Sequence, residues 1–162
     1  MWAVVAELQQ AFHVWAEPSG LRFAFTEQET PGAIRLSFSI DDESDDPAIP
    51  LSARILYKYD GPGGILAQAV KGESVTFDGE EKWLLQDEIA RRVVVGGGGS
   101  AAEVSSPGEF SLLAVAVHEI GHVLGLGHIN KPHATMSPYY NADHVRLSHD
   151  DVMALQKLYP EK

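Results

Sequence analysis

Residues 110–124, FSLLAVAVHEIGHVL, are apolar on most sides and read as a buried helix, yet they carry two histidines and a glutamate. A chain can bury such groups only if something organises them. His118 and His122 are four apart, so on a helix they lie one turn apart on the same face. Their ring nitrogens can then reach one metal ion, with Glu119 projecting beside it. Gly125 comes three residues after His122, where the helix must stop if the chain is to double back. Glycine tolerates the left-handed backbone that such a stop uses. His128 can thus return as a third ligand, completing a facial set of neutral nitrogens.

Zinc held by three protein ligands keeps a position for water, the mark of a catalytic rather than a structural site. The metal lowers the pKa of that water to about 7, and Glu119 can take its proton. A bare HExxH arises by accident. HExxHxxGxxH is far more specific, because three ligands, a base and a glycine must coincide. His13, His133, His144 and His149 fit no ligand spacing and read as surface or capping residues.

A length of 162 residues with 44% hydrophobic content supports one core and one domain over 1–162. No apolar run approaches a membrane span, and Met1 is followed by no basic segment or cleavable signal. An intracellular protein or the mature portion of a longer one is therefore expected. Zero cysteines exclude a disulfide framework, a thiolate metal site and a cysteine nucleophile. A net charge of −11 argues against nucleic acid or an anionic membrane as partner. It reads as a solvated surface, or as carboxylates gathered around a hard cation such as calcium.

Before the histidine helix, residues 2–17 place Val4, Val5, Leu8, Ala11, Phe12 and Trp15 on one face of a helix that Pro18-Ser19-Gly20 ends. Alternation predicts strands at Leu21–Phe25 and at Ile34–Ile40, followed by a charged loop at 41–47 and a strand at 53–59. DGPGG (60–64) is a turn leading into strands at 65–70 and 74–78. IARRVVV (89–95) suits a strand, and GGGGS (96–100) is a flexible linker by composition. A last helix begins at LSHDD, where Ser148 can cap and Asp151 can answer three residues on. The order is that of an α+β or α/β single domain.

HEIGHVLGLGH, followed eight residues later by Met136 in TMSPYY, resembles the metzincins and specifically the matrixins, the catalytic domain of matrix metalloproteinases. AFHVWAEPSGLRF, YDGPGGILAQA, FDGEEKW and LSHDDVMALQKLYP carry the same resemblance, which leaves out about 41–56 and 84–109. The resemblance implies a twisted mixed sheet, mostly parallel with an antiparallel edge strand, and three helices. It implies a monomeric, secreted zinc endopeptidase acting on peptide or protein substrates, with His118, His122 and His128 on zinc and Glu119 as base. Met136 would form the Met-turn beneath the zinc. Calcium would be held by Asp60, Gly61, Gly63, Ile65, Asp78 and Glu81. Substrate would pair antiparallel along 64–68, with Gly64, Leu66 and Ala67 nearest the scissile bond. Ala114, Pro138 and Tyr140 would line an S1′ pocket open to Leu, Met or larger side chains.

Two departures from the family pattern change the expectation. The second, structural zinc needs histidines where this chain has Gln68 and Thr76, and the acidic loop has none, so one zinc is expected. Matrixins also set a strand ahead of the first helix; the expectation here is either that 89–95 fills its place in the sheet or that the sequence is truncated before its first helix. The rival readings are an inactive or weakly active metal-binding homologue, and a metallohydrolase of another substrate class.

Overall fold

A computed structural model of the chain describes residues 2–28, 30–39 and 61–160. The expected strand at 53–59, the loop at 41–47 and Asp60 lie outside the described residues.

Helix α1 runs Trp2–Ser19 and buries Glu7, Leu8, Ala11 and Trp15, one stripe at helical spacing. It ends as expected, with Gly20 in the left-handed region at φ 66°. Strands β1 (Arg35–Ser39), β2 (Ala67–Val70) and β3 (Ser74–Asp78) form a sheet in the order β1-β3-β2. The β1/β3 pair is parallel and the β2/β3 pair antiparallel, so this mixed sheet has the expected antiparallel strand at its edge. Short β4 (Lys82–Leu84) and β5 (Glu109–Ser111) make a separate parallel pair.

Helix α4 (Leu112–Val123) packs between α1 and the sheet and is buried along almost its whole length. Around it gather Trp15, Val75, Phe77, Met136 and Leu155, the last from α5 (His149–Leu158). The α5 terminus is the capping box read from the sequence, Ser148 and Asp151 answering each other.

Four expectations are corrected. Leu21, Phe23 and Phe25 join no sheet among the described residues; Phe23 instead stacks on Phe12 of α1, ring centroids 5.0 Å apart. Residues 89–95 are not a strand and fill no gap, because they lie in helix α2 (Gln86–Val95). Valine favours strands, but tertiary anchors override it. Glu7 on α1 accepts the Gln86 N–H at 3.0 Å, and Arg92 is paired with Glu88 and Glu109. GGGGS is no loose linker. Gly96 caps α2, Gly97–Gly99 take φ of 82°, 114° and 117°, and Ser100 opens α3 (Ala101–Val104) with a full capping box. The described residues thus hold five helices, not three.

Among the described glycines, the closest approach of neighbouring side chains is at Gly121. A Cβ there would overlap the Met136 sulfur and stand 2.8 Å from the Trp15 ring. Gly121→Ala should therefore destabilise the protein by about 1–3 kcal/mol, as overpacking does. Gly127→Ala, whose Cβ meets nothing within 4 Å, should be close to neutral. Denaturant unfolding of both compares them; equal stabilities would mean the core yields at Gly121.

Candidate metal centre

Three elements bring the histidines together. Helix α4 carries His118 and His122 on one face, and the chain leaves it through Gly125 at φ 100°. That turn sets the Leu126 N–H on the Gly121 carbonyl at 3.0 Å and returns His128. The three Nε2 atoms then stand 3.1, 3.2 and 3.3 Å apart. A tetrahedral zinc with Zn–N of about 2.0–2.1 Å needs its nitrogens about 3.3–3.4 Å apart, so the donor set fits that ion.

The other ring nitrogens decide the tautomers. His118 Nδ1 lies 2.8 Å from the Thr135 carbonyl and His122 Nδ1 2.9 Å from the Leu126 carbonyl. A carbonyl only accepts, so each Nδ1 carries the hydrogen and each Nε2 keeps its lone pair for a metal. Burial pushes the pKa of His118 down to about 4 and also lowers that of His128. Both shifts favour the neutral form that a metal needs.

Glu119 is buried, and that burial raises its carboxyl to about 7, into the range useful for proton transfer.

Beneath the histidines runs the turn Ala134–Ser137, wholly buried, with Met136 at 0% exposure. Its closure comes from Ser137 N–H to the Ala134 carbonyl at 3.0 Å and Ile129 N–H to the Met136 carbonyl at 2.8 Å. The Asp151 carboxylate, itself 0% exposed, accepts the Thr135 and Met136 N–H groups at 2.9 and 3.0 Å. The same carboxylate accepts the N–H and hydroxyl of Ser148. Asp151 thus fixes Thr135, whose carbonyl orients His118. Sequence reading missed this role and that of Gly121. Asp151 showed only its local partner Ser148, whereas a glycine inside an apolar helix was a usable signal of close approach.

The expected calcium residues fall into two segments that meet. Gly61 and Gly63 take φ of 81° and 85°, and the Gly63 N–H donates to Glu81 Oε1 at 2.6 Å. Asp78 and Glu81 are buried, and Ile65 follows the turn, exposed. Gln68 and Thr76 face each other across β2 and β3. Among the described residues, His118, His122 and His128 form the single group of three or more metal-ligating side chains.

Of the expected substrate residues, Gly64 and Leu66 lead into the edge strand that Ala67 opens. Ala114 is buried in the first turn of α4, its N–H on Ser111 Oγ at 3.2 Å. Tyr140 Oη accepts the Ser111 N–H at 2.7 Å, so the segment after Met136 curls back to the α4 N-terminus with Pro138 exposed on it.

A sequence model of the matrixin family matches residues 2–160. Curated relatives include matrix metalloproteinase-C of Caenorhabditis elegans, 28% identical over 94% of this chain and 24% of its own length. Metalloendoproteinase 1 of Glycine max is 30% identical over 94% of this chain and 44% of its own length. The macrophage metalloelastase of Rattus norvegicus is 32% identical over 93% of this chain and 28% of its own. The chain therefore spans less than half the length of each of these relatives.

Asp151→Asn keeps the shape but replaces one acceptor oxygen with an NH2 group that faces a donor. It should lower stability by about 1.5–3 kcal/mol and weaken zinc retention about 10–100-fold through His118. Thermal unfolding and competition with a chromophoric chelator read the two effects. Unchanged zinc affinity would detach Asp151 from the histidines.

Proposed function

The chain belongs to the matrixin family, and from that premise we propose that it is a zinc-dependent endopeptidase with Glu119 as general base. The observation that carries this reading is the triangle of Nε2 atoms, sized for one tetrahedral zinc. Zinc bound by His118, His122 and His128 would supply a Lewis acid that polarises the scissile carbonyl and acidifies water. Glu119 takes the proton from the attacking water and delivers it to the leaving amine. Its raised pKa suits both directions of transfer near neutrality, and a nearby cation favours the carboxylate that must act first.

Substrate lies extended and antiparallel along β2, pairing main chain to main chain through Gly64, Leu66 and Ala67. The edge position of β2 in the described sheet supports this. Ala114, Pro138 and Tyr140 line the S1′ pocket, which takes Leu, Met or a larger side chain. Calcium joins the turn of Gly61, Gly63 and Ile65 to Asp78 and Glu81, with Asp60 completing the set. Hard oxygen donors on two segments already tied by the Gly63–Glu81 bond support it. One zinc is held, because Gln68 and Thr76 offer no imidazole. The protein acts as a secreted monomer on peptide or protein substrates. Among the described residues no helix is long and apolar enough to cross a membrane.

Glu119→Ala should cut kcat/KM on a quenched peptide with Leu at P1′ by about 10²–10⁴-fold and leave one zinc per chain. Parent-like cleavage by the variant would remove Glu119 from the mechanism. A zinc-loaded parent that cuts no peptide would leave a metal-binding homologue without activity. Calcium added after chelation should raise Tm by a few degrees, since a ligand that binds the folded form stabilises it. A flat response, scanned at fixed zinc, would refute the calcium site.

A further inference from the structure

The segment 86–109 has no place in the chemistry just described, yet it is anchored at both ends to parts that do. At its start, Gln86 is held by Glu7 of α1 and donates from Nε2 to Ser111 Oγ, the N-cap of the histidine helix, at 3.3 Å. In its middle, the Arg92 guanidinium bridges Glu88 and the buried carboxylate of Glu109, which also takes Lys82 and the Ser106 N–H. The segment is therefore fixed to β4 and β5, and those strands are fixed to α4.

Its far end reaches the loop that follows the Met136 turn. The Ala101 N–H donates to Asp143 Oδ1 at 2.7 Å. Ala101 is the first residue of α3, and its N–H is one of the donors that a helix leaves open. The capping box of Ser100 and Glu103 satisfies the N–H groups of those two residues, so Ala101 is left for Asp143. Asp143 is presented by a turn of its own, with its N–H on Asn141 Oδ1 at 2.9 Å. Immediately before that turn, Tyr140 accepts the Ser111 N–H and packs edge-on against Phe110, centroids 5.2 Å apart.

We propose that segment 86–109 is a brace for the loop 138–145, and that Asp143 is a positioning residue through which the brace sets the range of side chains accepted at S1′. The proposal rests on the reading of Pro138 and Tyr140 as the wall of that pocket. A wall held at both Tyr140 and Asp143 keeps its shape against an oversized side chain. A wall held at one point yields to it, and discrimination is a difference in fit.

The experiment uses three variants of the zinc-loaded chain. Asp143→Ala removes the acceptor and Asp143→Asn keeps it. Ala101→Pro removes the donor at a first helical position where proline is tolerated, after a Ser100 already extended at φ −89°, ψ 168°. Amide exchange over 137–145 should quicken about fivefold in Asp143→Ala and in Ala101→Pro, as expected for one lost hydrogen bond. The double variant should add nothing further, and Asp143→Asn should stay near the parent. The ratio of kcat/KM for peptides with Leu and Phe at P1′ should move toward one in the two disrupting variants, through KM, with zinc content unchanged.

Loop exchange unmoved in both disrupting variants would overturn the brace, whatever happens to cleavage. Faster exchange with an unmoved P1′ ratio would overturn its role in specificity. A parent that cuts no peptide, with exchange responding as expected, would sink the catalytic reading and the pocket with it while leaving the brace standing.

Discussion

The close contact at Gly121 is what the rest of the molecule is arranged around. One residue without a side chain lets the Trp15 ring and the Met136 sulfur both touch the backbone of α4. Trp15 adds a hydrogen bond from Nε1 to the Val117 carbonyl at 2.8 Å, so α1 is fixed to α4 in register as well as in depth. Glycine inside a helix costs about 0.5–1 kcal/mol relative to alanine. That cost is offset by packing two large, fully buried side chains against the helical turn that separates His118 from His122. The first helix, the histidine helix and the Met136 turn thus share one point of contact.

The polar groups around that contact follow a hierarchy rather than a set of independent pairs. Asp151 belongs to α5, yet its carboxylate holds the Thr135 and Met136 amides, and the Thr135 carbonyl holds His118. A buried carboxylate is costly unless its lone pairs are satisfied. Here four donors satisfy it, two from the Met136 turn and two from Ser148. Glu119 stands in contrast. Burial is the whole cause of its raised pKa, and a cation held by the adjacent imidazoles is the charge that would return it to the carboxylate form. The fold thus sets a fully bonded carboxylate at the turn that orients His118 and a carboxyl with a raised pKa next to His118 along α4.

Which of these features the sequence disclosed depended on how local their causes are. The histidine spacing on one helix, the Gly125 stop and the Ser148–Asp151 capping box each rest on contacts within a few residues, and each was legible. Residues 89–95 were not. Their valines favour a strand, and what makes them helical is Glu7, 79 residues before Gln86, together with Glu109, 17 residues beyond Arg92. Val94 and Val95, at 79% and 88% exposure, show that the apolar run was never a core element. Phe23 failed likewise, because ring stacking on Phe12 replaced strand pairing. Asp151 was half legible: its cap could be read, its grip on a turn 15 and 16 residues away could not.

Two supports therefore hold the chain that follows His128, and they share no residue. From the C-terminal helix, Asp151 fixes the turn that orients a ligand. Ala101 of the 86–109 segment and Ser111, the N-cap of α4, hold the loop that continues from that turn. Interactions without common partners contribute nearly independently. The two supports still meet, since the Thr135 hydroxyl donates to the Arg146 carbonyl at 2.8 Å and ties the far end of the loop back to the turn that holds His118.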